Sequence, residues 1–109
     1  MKKTRLIAKV EIKNNLVVKP IYFEGLKIIG KIKDVIQSTY NSGVDELIYI
    51  DIVASLYQRK FQIELLKQNL KNIFIPVTVG GAIKSIDDCN NLFENGADKV
   101  AINTYALQF

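Results

Sequence analysis

The sequence has 109 residues, 49% of them hydrophobic and 24% charged, with a net charge of +4, one cysteine and no histidine. That length suits one domain with its own core, and the balance is that of a folded, soluble chain rather than a disordered one. The lone Cys89 excludes an intrachain disulfide, and the lack of histidine removes Ser–His and Cys–His catalysis and argues against a metal site, leaving acid–base work to carboxylates, lysines or tyrosines.

The chain opens on a basic stretch whose apolar continuation is broken by Lys9 and Glu11. It reads poorly as a signal peptide, and no later run has the length and apolarity of a membrane span, so a cytoplasmic protein is expected. The lysines are scattered and no aromatic-rich basic stripe accompanies them, which argues against a nucleic-acid partner. The first β-rich run is Leu6–Ile12. The insert Lys13–Gly30 follows, with a second apolar run, Leu16–Lys19, suited to a small extra hairpin. Ile32, Val35, Ile36 and Tyr40 share one helical face before the breaker Asn41–Ser42–Gly43. A second strand, Glu46–Asp51, precedes a helix carrying Phe61, Leu65, Leu66 and Leu70. A third strand is expected over Ile73–Val79. Ser85 with Asp88 forms a capping pattern for a helix bearing Ile86, Cys89, Leu92 and Phe93, with Asn95–Gly96 as its stop. Cys89 reads as packing on that face. The fourth strand is Lys99–Ile102.

This alternation predicts an α/β fold of four parallel strands and three helices with right-handed crossovers. A doubly wound sheet would carry its glycine-rich loop after the first strand, whereas here Gly80–Gly81 follow the third. Successive strand residues face opposite ways. One parity is almost wholly apolar: Leu6, Ala8 and Val10, then Leu47 and Tyr49, then Val77 and Val79, then Val100 and Ile102. That face suits packing under helices. The other holds Arg5, Ile7, Lys9 and Glu11, then Glu46, Ile48 and Ile50, then Thr78 and Gly80, then Lys99, Ala101 and Asn103. In a barrel this set faces inward, where Arg5, Glu46 and Lys99 meet near the strand starts as a salt-bridged layer, since buried charges must pair. The alternative is a set of solvent-facing strand ends on an open sheet.

At the carboxyl ends lie Glu11, Asp51, Gly80–Gly81 and Asn103–Thr104, where parallel α/β folds place their ligands. The glycine pair lets backbone approach a phosphate, and the helix beginning near Ser85 adds the positive end of its dipole.

Three blocks carry a family resemblance: Asp45-Glu46-Leu47-Ile48-Tyr49-Ile50-Asp51-Ile52-Val53-Ala54-Ser55, Pro76-Val77-Thr78-Val79-Gly80-Gly81, and Gly96-Ala97-Asp98-Lys99-Val100-Ala101-Ile102-Asn103-Thr104. In them the chain resembles the cyclase subunit of imidazole glycerol phosphate synthase over essentially its whole length. The resemblance implies a (β/α)8 barrel of which residues 1–109 form the N-terminal half, a single (β/α)4 unit. It implies ammonia delivered through the barrel core by a glutaminase (glutamine amidotransferase) subunit, and a lyase that cleaves and cyclises a phosphorylated ribulosyl intermediate of histidine biosynthesis. No cofactor and no metal are implied. Glu11 falls where the family has its catalytic aspartate. Lys19 matches a substrate-facing lysine and Asp51 an acidic residue at the active-site mouth. Asn103 and Thr104, with the turn at Gly81–Ala82, match a phosphate site. Arg5, Glu46 and Lys99 match the ring guarding ammonia entry, and Asp98 lies near the partner surface.

The chain departs from the pattern at Glu11, one methylene longer than the aspartate, at Ala82, where a third glycine is usual, and at Lys9, an inward cation near Glu11. Pro20, Glu24-Gly25-Leu26 and Ala54-Ser55-Leu56-Tyr57-Gln58-Arg59 look more like a paralogous branch that works with an amidotransferase making amidated surface sugars. A non-catalytic, phosphate-binding half-barrel is a further alternative. The family's second half carries the other catalytic aspartate and the other phosphate site. Alone, residues 1–109 are therefore expected to be a truncated piece of a full barrel, inactive and prone to self-association.

Overall fold

The computed structural model describes residues 4–14, 16–21, 25–52, 63–81, 83 and 85–102. Six strands form one sheet in the order β3-β2-β1-β4-β5-β6. They are β1 (Ile7–Lys13), β2 (Leu16–Ile21), β3 (Gly25–Lys31), β4 (Glu46–Asp51), β5 (Val77–Gly80) and β6 (Lys99–Ala101). Among the described residues three helices join them: α1 (Ile32–Asn41), α2 (Ile63–Leu70) and α3 (Ile86–Glu94). β1, β4, β5 and β6 run parallel, which is the alternation the apolar periodicity predicts.

Period-two patterning decides which way this sheet faces. Val10, Ile12, Leu47, Tyr49, Val77 and Val79 are all buried, and they join Ile32 and Ile36 of α1, Leu66 and Leu70 of α2 and Leu92 of α3 in one core. Cys89 packs against that core as a partly buried member. The other parity stays accessible along β1 and β6, with Arg5, Lys9, Lys99 and Ala101 exposed. Leu6 and Ile102, at opposite ends of the apolar parity, depart from it and remain exposed.

The hairpin in the 13–30 insert is real and larger than its apolar run suggests. β2 pairs antiparallel with β1, and β3 with β2, so both strands extend the main sheet. Its first turn closes between Lys13 and Leu16, and Asn14 there has a φ of 56°, a left-handed conformation that asparagine tolerates. A register shift at Val17/Val18 in the β2–β3 ladder coincides with burial of both valines, where strict alternation would have exposed one.

The third parallel strand is shorter than its hydrophobic run. Ile73–Ile75 lie outside β5, because the Ile73 N–H is spent on the Leu70 carbonyl at the end of α2 (3.1 Å) and Pro76 has no N–H to donate. Pro76 still accepts from the Leu47 N–H at 3.0 Å. Phe61, expected on the second helix, lies outside the described residues. Ser85 caps α3, its Oγ accepting from the Asp88 N–H at 3.1 Å, as the capping pattern requires.

A repeated latch ties strand starts together. Asp45 precedes β4: its carboxylate accepts from the Leu6 N–H (2.7 Å), while its own N–H donates to the Leu6 carbonyl (2.8 Å). Asp98 precedes β6 and does the same to Val77, at 2.7 and 2.8 Å. The two aspartates occupy equivalent places in Gly43-Val44-Asp45-Glu46 and Gly96-Ala97-Asp98-Lys99, so the β1–α1–β4 and β5–α3–β6 units repeat one device. A charged acceptor on a partly buried backbone donor contributes about 1–2 kcal/mol. Asp98→Ala is expected to lower unfolding stability by that amount in urea titrations, and by more than Asp45→Ala, whose bond is exposed; an unchanged midpoint would refute the latch.

Candidate functional site

The ladder registers fix which residues share a level. Lys9, Ile48, Thr78 and Lys99 form one hydrogen-bonded row, and Glu11, Ile50, Gly80 and Ala101 form the row two residues further on. Both rows lie on the face turned away from the helices. The upper row is built for close approach, since a Cβ on Gly80 would meet Ile50 Cδ1 at 2.7 Å and Ala101 Cβ at 3.3 Å.

Glu46 and Lys99 belong to different rows. Lys99 stands two residues beyond Glu46 in register, with β5 between their strands. Barrel strands tilt, so residues at equal height along the barrel axis are offset by about one residue per strand in an eight-stranded barrel of shear eight. Two residues over two strands is that offset, so in such a barrel Glu46 and Lys99 would stand at equal height. Arg5 forms an ion pair with Glu46. No ion pair joins Lys99 to Glu46 among the described residues, so of the expected ring the structure brings one pair into contact.

At the opposite end, about 20 Å along the strand from Arg5, Glu11 is partly buried and pairs with Lys9, whose Nζ lies 3.2 Å from Oε1. Lys19 is exposed on β2, one residue beyond Val18, the register partner of Glu11. Lys9, Glu11 and Lys19 border a cavity of about 350 Å³ that is otherwise lined by apolar residues of β1, β2 and β3 and by Val35 and Thr39 of α1, so it reaches round to the helix side of β1.

Asp51 lies elsewhere. It aligns with Ile12, whose side chain is fully buried, and so occupies the helix-facing parity, 9% exposed. Tyr49 stands two residues before it, and Asn69 of α2 hydrogen-bonds the tyrosine. Burial, and then the Asp51 charge, push the Tyr49 hydroxyl far above its usual range, with the Asn69 bond opposing them. Apart from its approach to Tyr49, the buried Asn69 amide nitrogen has no hydrogen-bond partner among the described residues. This cluster was not foreseen; its signal is Asn69 three residues after Leu66, on the apolar stripe of α2.

Gly81 has a φ of 153° and its carbonyl accepts from the Ile83 N–H at 3.0 Å, a tight turn that delivers the chain to Ser85. The start of α3 already holds Asp87 and Asp88 in its first turn, so its dipole is answered by the protein's own carboxylates. An anion at Gly81 would therefore depend on the turn's backbone donors more than on the helix. Ala82, Asn103 and Thr104 lie outside the described residues. Asp98 is exposed at the amino-terminal end of β6. No group of three His, Cys, Asp or Glu side chains is placed to hold a metal ion, and no helix is long and apolar enough to cross a membrane, among the described residues.

Four parallel strands with helices on one face and polar groups at the strand ends are the architecture of a piece of a (β/α)8 barrel. Residues 5–109 match the family model described as histidine biosynthesis protein. The chain is 48% identical over 108 residues to imidazole glycerol phosphate synthase subunit HisF of Legionella pneumophila, covering 99% of this chain and 51% of that protein. The subunits of the same name from Natranaerobius thermophilus and Streptococcus mutans are 41% and 38% identical, over 95% and 98% of this chain and 41% and 43% of theirs. The chain thus spans about half the length, or less, of these relatives. It belongs to the histidine biosynthesis protein family and corresponds to the N-terminal half of a HisF-like subunit.

The Tyr49 shift fixes a pH dependence. An unfolded tyrosine ionises near pH 10, whereas folded Tyr49 keeps its proton higher. Above about pH 10 the unfolded state binds fewer protons, so stability falls as pH rises. Denaturant titrations from pH 9 upward should show a shallower loss for Tyr49→Phe than for the parent protein; parallel profiles would contradict the assignment.

Proposed function

We propose that this chain supplies one half of the active site of an ammonia-using cyclase of histidine biosynthesis. The observation that carries the reading is the register that sets Lys19 of β2 one residue beyond Val18, the partner of Glu11, towards the carboxyl end of β1, in a chain so similar to HisF subunits.

In this reading Glu11 is the acid–base group, taking a proton from the reacting intermediate and returning it in a later step. Lys19 binds an anionic portion of a phosphorylated ribulosyl substrate. Gly81–Ala82 with Asn103–Thr104 present donors to a phosphate, and Asp51 lies behind the mouth of the site. Ammonia enters at the other end of the sheet, past Arg5, Glu46 and Lys99. A neutral molecule crosses an apolar interior at far lower cost than ammonium, which must shed its hydration. A charged ring at the entrance suits that selection, because its paired side chains need not follow the ammonia inward. The glutaminase subunit that generates the ammonia docks at the amino-terminal end, where Asp98 is exposed, and the second carboxylate and second phosphate site come from outside these residues. The protein is a lyase acting in the cytoplasm.

The test supplies ammonium salt and the ribulosyl-phosphate intermediate to a complete barrel that includes these residues. Glu11→Gln is expected to lower kcat by at least about 100-fold while phosphate affinity is retained. Turnover that survives the change would remove Glu11 from the chemistry.

A further inference from the structure

A glutamate that moves protons must be held, because its flexible side chain otherwise samples many rotamers. Among the described residues the row of Glu11 offers no polar group to hold it: its neighbours are Val18, Ile50, Gly80 and Ala101. Lys9 lies two residues earlier on the same strand face, one pleat away, with Nζ 3.2 Å from Glu11 Oε1. Among the described residues it is the cation paired with Glu11, and Lys19, in the same cavity, forms no ion pair there.

The two lysines therefore differ in what they can do. We propose that Lys9 is a positioning residue that orients the Glu11 carboxylate through their ion pair, leaving Lys19 free to take an anionic group of the substrate. The inference rests on the acid–base role of Glu11. Lys9 suits the task because its ammonium is a compact point charge on a flexible stem, which follows the carboxylate without a bidentate grip on both oxygens. With the Lys9 side chain 58% exposed and that of Glu11 21% exposed, the pair contributes little to stability. A purely structural purpose leaves it unexplained.

The experiment measures ammonia-driven turnover by the same complete barrel for Lys9→Met, Lys9→Arg, Glu11→Gln and the Lys9→Met/Glu11→Gln double variant. Lys9→Met is expected to lower kcat by about 10- to 100-fold with KM nearly unchanged, since a carboxylate displaced by about 1 Å loses that much. Lys9→Arg, which keeps the positive charge but not the compact ammonium, restores part of the loss. In the double variant the Lys9 change adds nothing to the Glu11→Gln defect, because the group it orients is gone. A raised KM at constant kcat would make Lys9 a substrate contact and overturn the inference. So would full activity of Lys9→Met beside an inactive Glu11→Gln. Full activity of Glu11→Gln would instead overturn the acid–base reading itself, and the inference with it. Because Lys9 is exposed, matching melting curves for Lys9→Met and the parent separate loss of rate from loss of fold.

Discussion

Tyr49, Val79 and Val100 lie in one hydrogen-bonded row across β4, β5 and β6, and the row points under the helices. Burying this parity is what the sheet is built around, and it leaves no freedom to the rows on either side. Side chains alternate, so once Tyr49 and Val79 are committed to the core, Ile48 and Thr78 below them and Ile50 and Gly80 above must face the other way. A slip of one residue would drive Glu46, Lys99 and Glu11 into the helix layer, each needing a partner there or a large desolvation cost. The hydrophobic burial and the placement of the polar groups are one constraint seen from two sides. The site is thus a consequence of the core.

What the core does not fix, the two aspartate latches do. Burial sets the parity of a strand but not where it begins, and a parallel neighbour has no tight turn to pin its register. Asp45 and Asp98 each clamp a backbone N–H and C=O of the preceding parallel strand. Each strand start is thereby locked at the point where the chain leaves a helix. The latches thus pin β4 to β1 and β6 to β5.

Much of this was legible in the sequence for one physical reason: period-two and period-3.6 patterns report burial, and burial organises the fold. The parallel order and the helix-facing parity follow from it, and the Ser85 cap from its own polar spacing. The misreadings occur where backbone hydrogen bonding competes with hydrophobicity. Ile73 and Ile75 look like strand, but an N–H already used by α2 and a proline without one keep them out of the ladder. Val17 and Val18 are both buried beside a register shift that no periodicity announces. Asp51 reads as a neighbour of Glu11 because both close a strand, yet its index is odd in a strand whose odd residues face the helices, and it lies beside Tyr49. The Tyr49–Asn69 contact joins β4 to a helix twenty residues on, a distance at which sequence spacing carries no geometric information.

The two polar clusters differ in solvation, and that separates their roles. Tyr49, Asp51 and Asn69 are buried, so each interaction among them is strong and a lost partner is costly. Such a cluster resists change and suits a fixed part of the scaffold behind the strand end. Lys9 and Glu11 stand in an accessible cavity where water competes with their attraction, and exposed pairs of this kind contribute only about 0–1 kcal/mol. A pair of that strength orients the carboxylate and still leaves it open to a ligand or a proton, whereas full burial with a partner would hold it out of the reaction. The acid–base group belongs in the weaker field, and of the two carboxylates closing these strands only Glu11 occupies it.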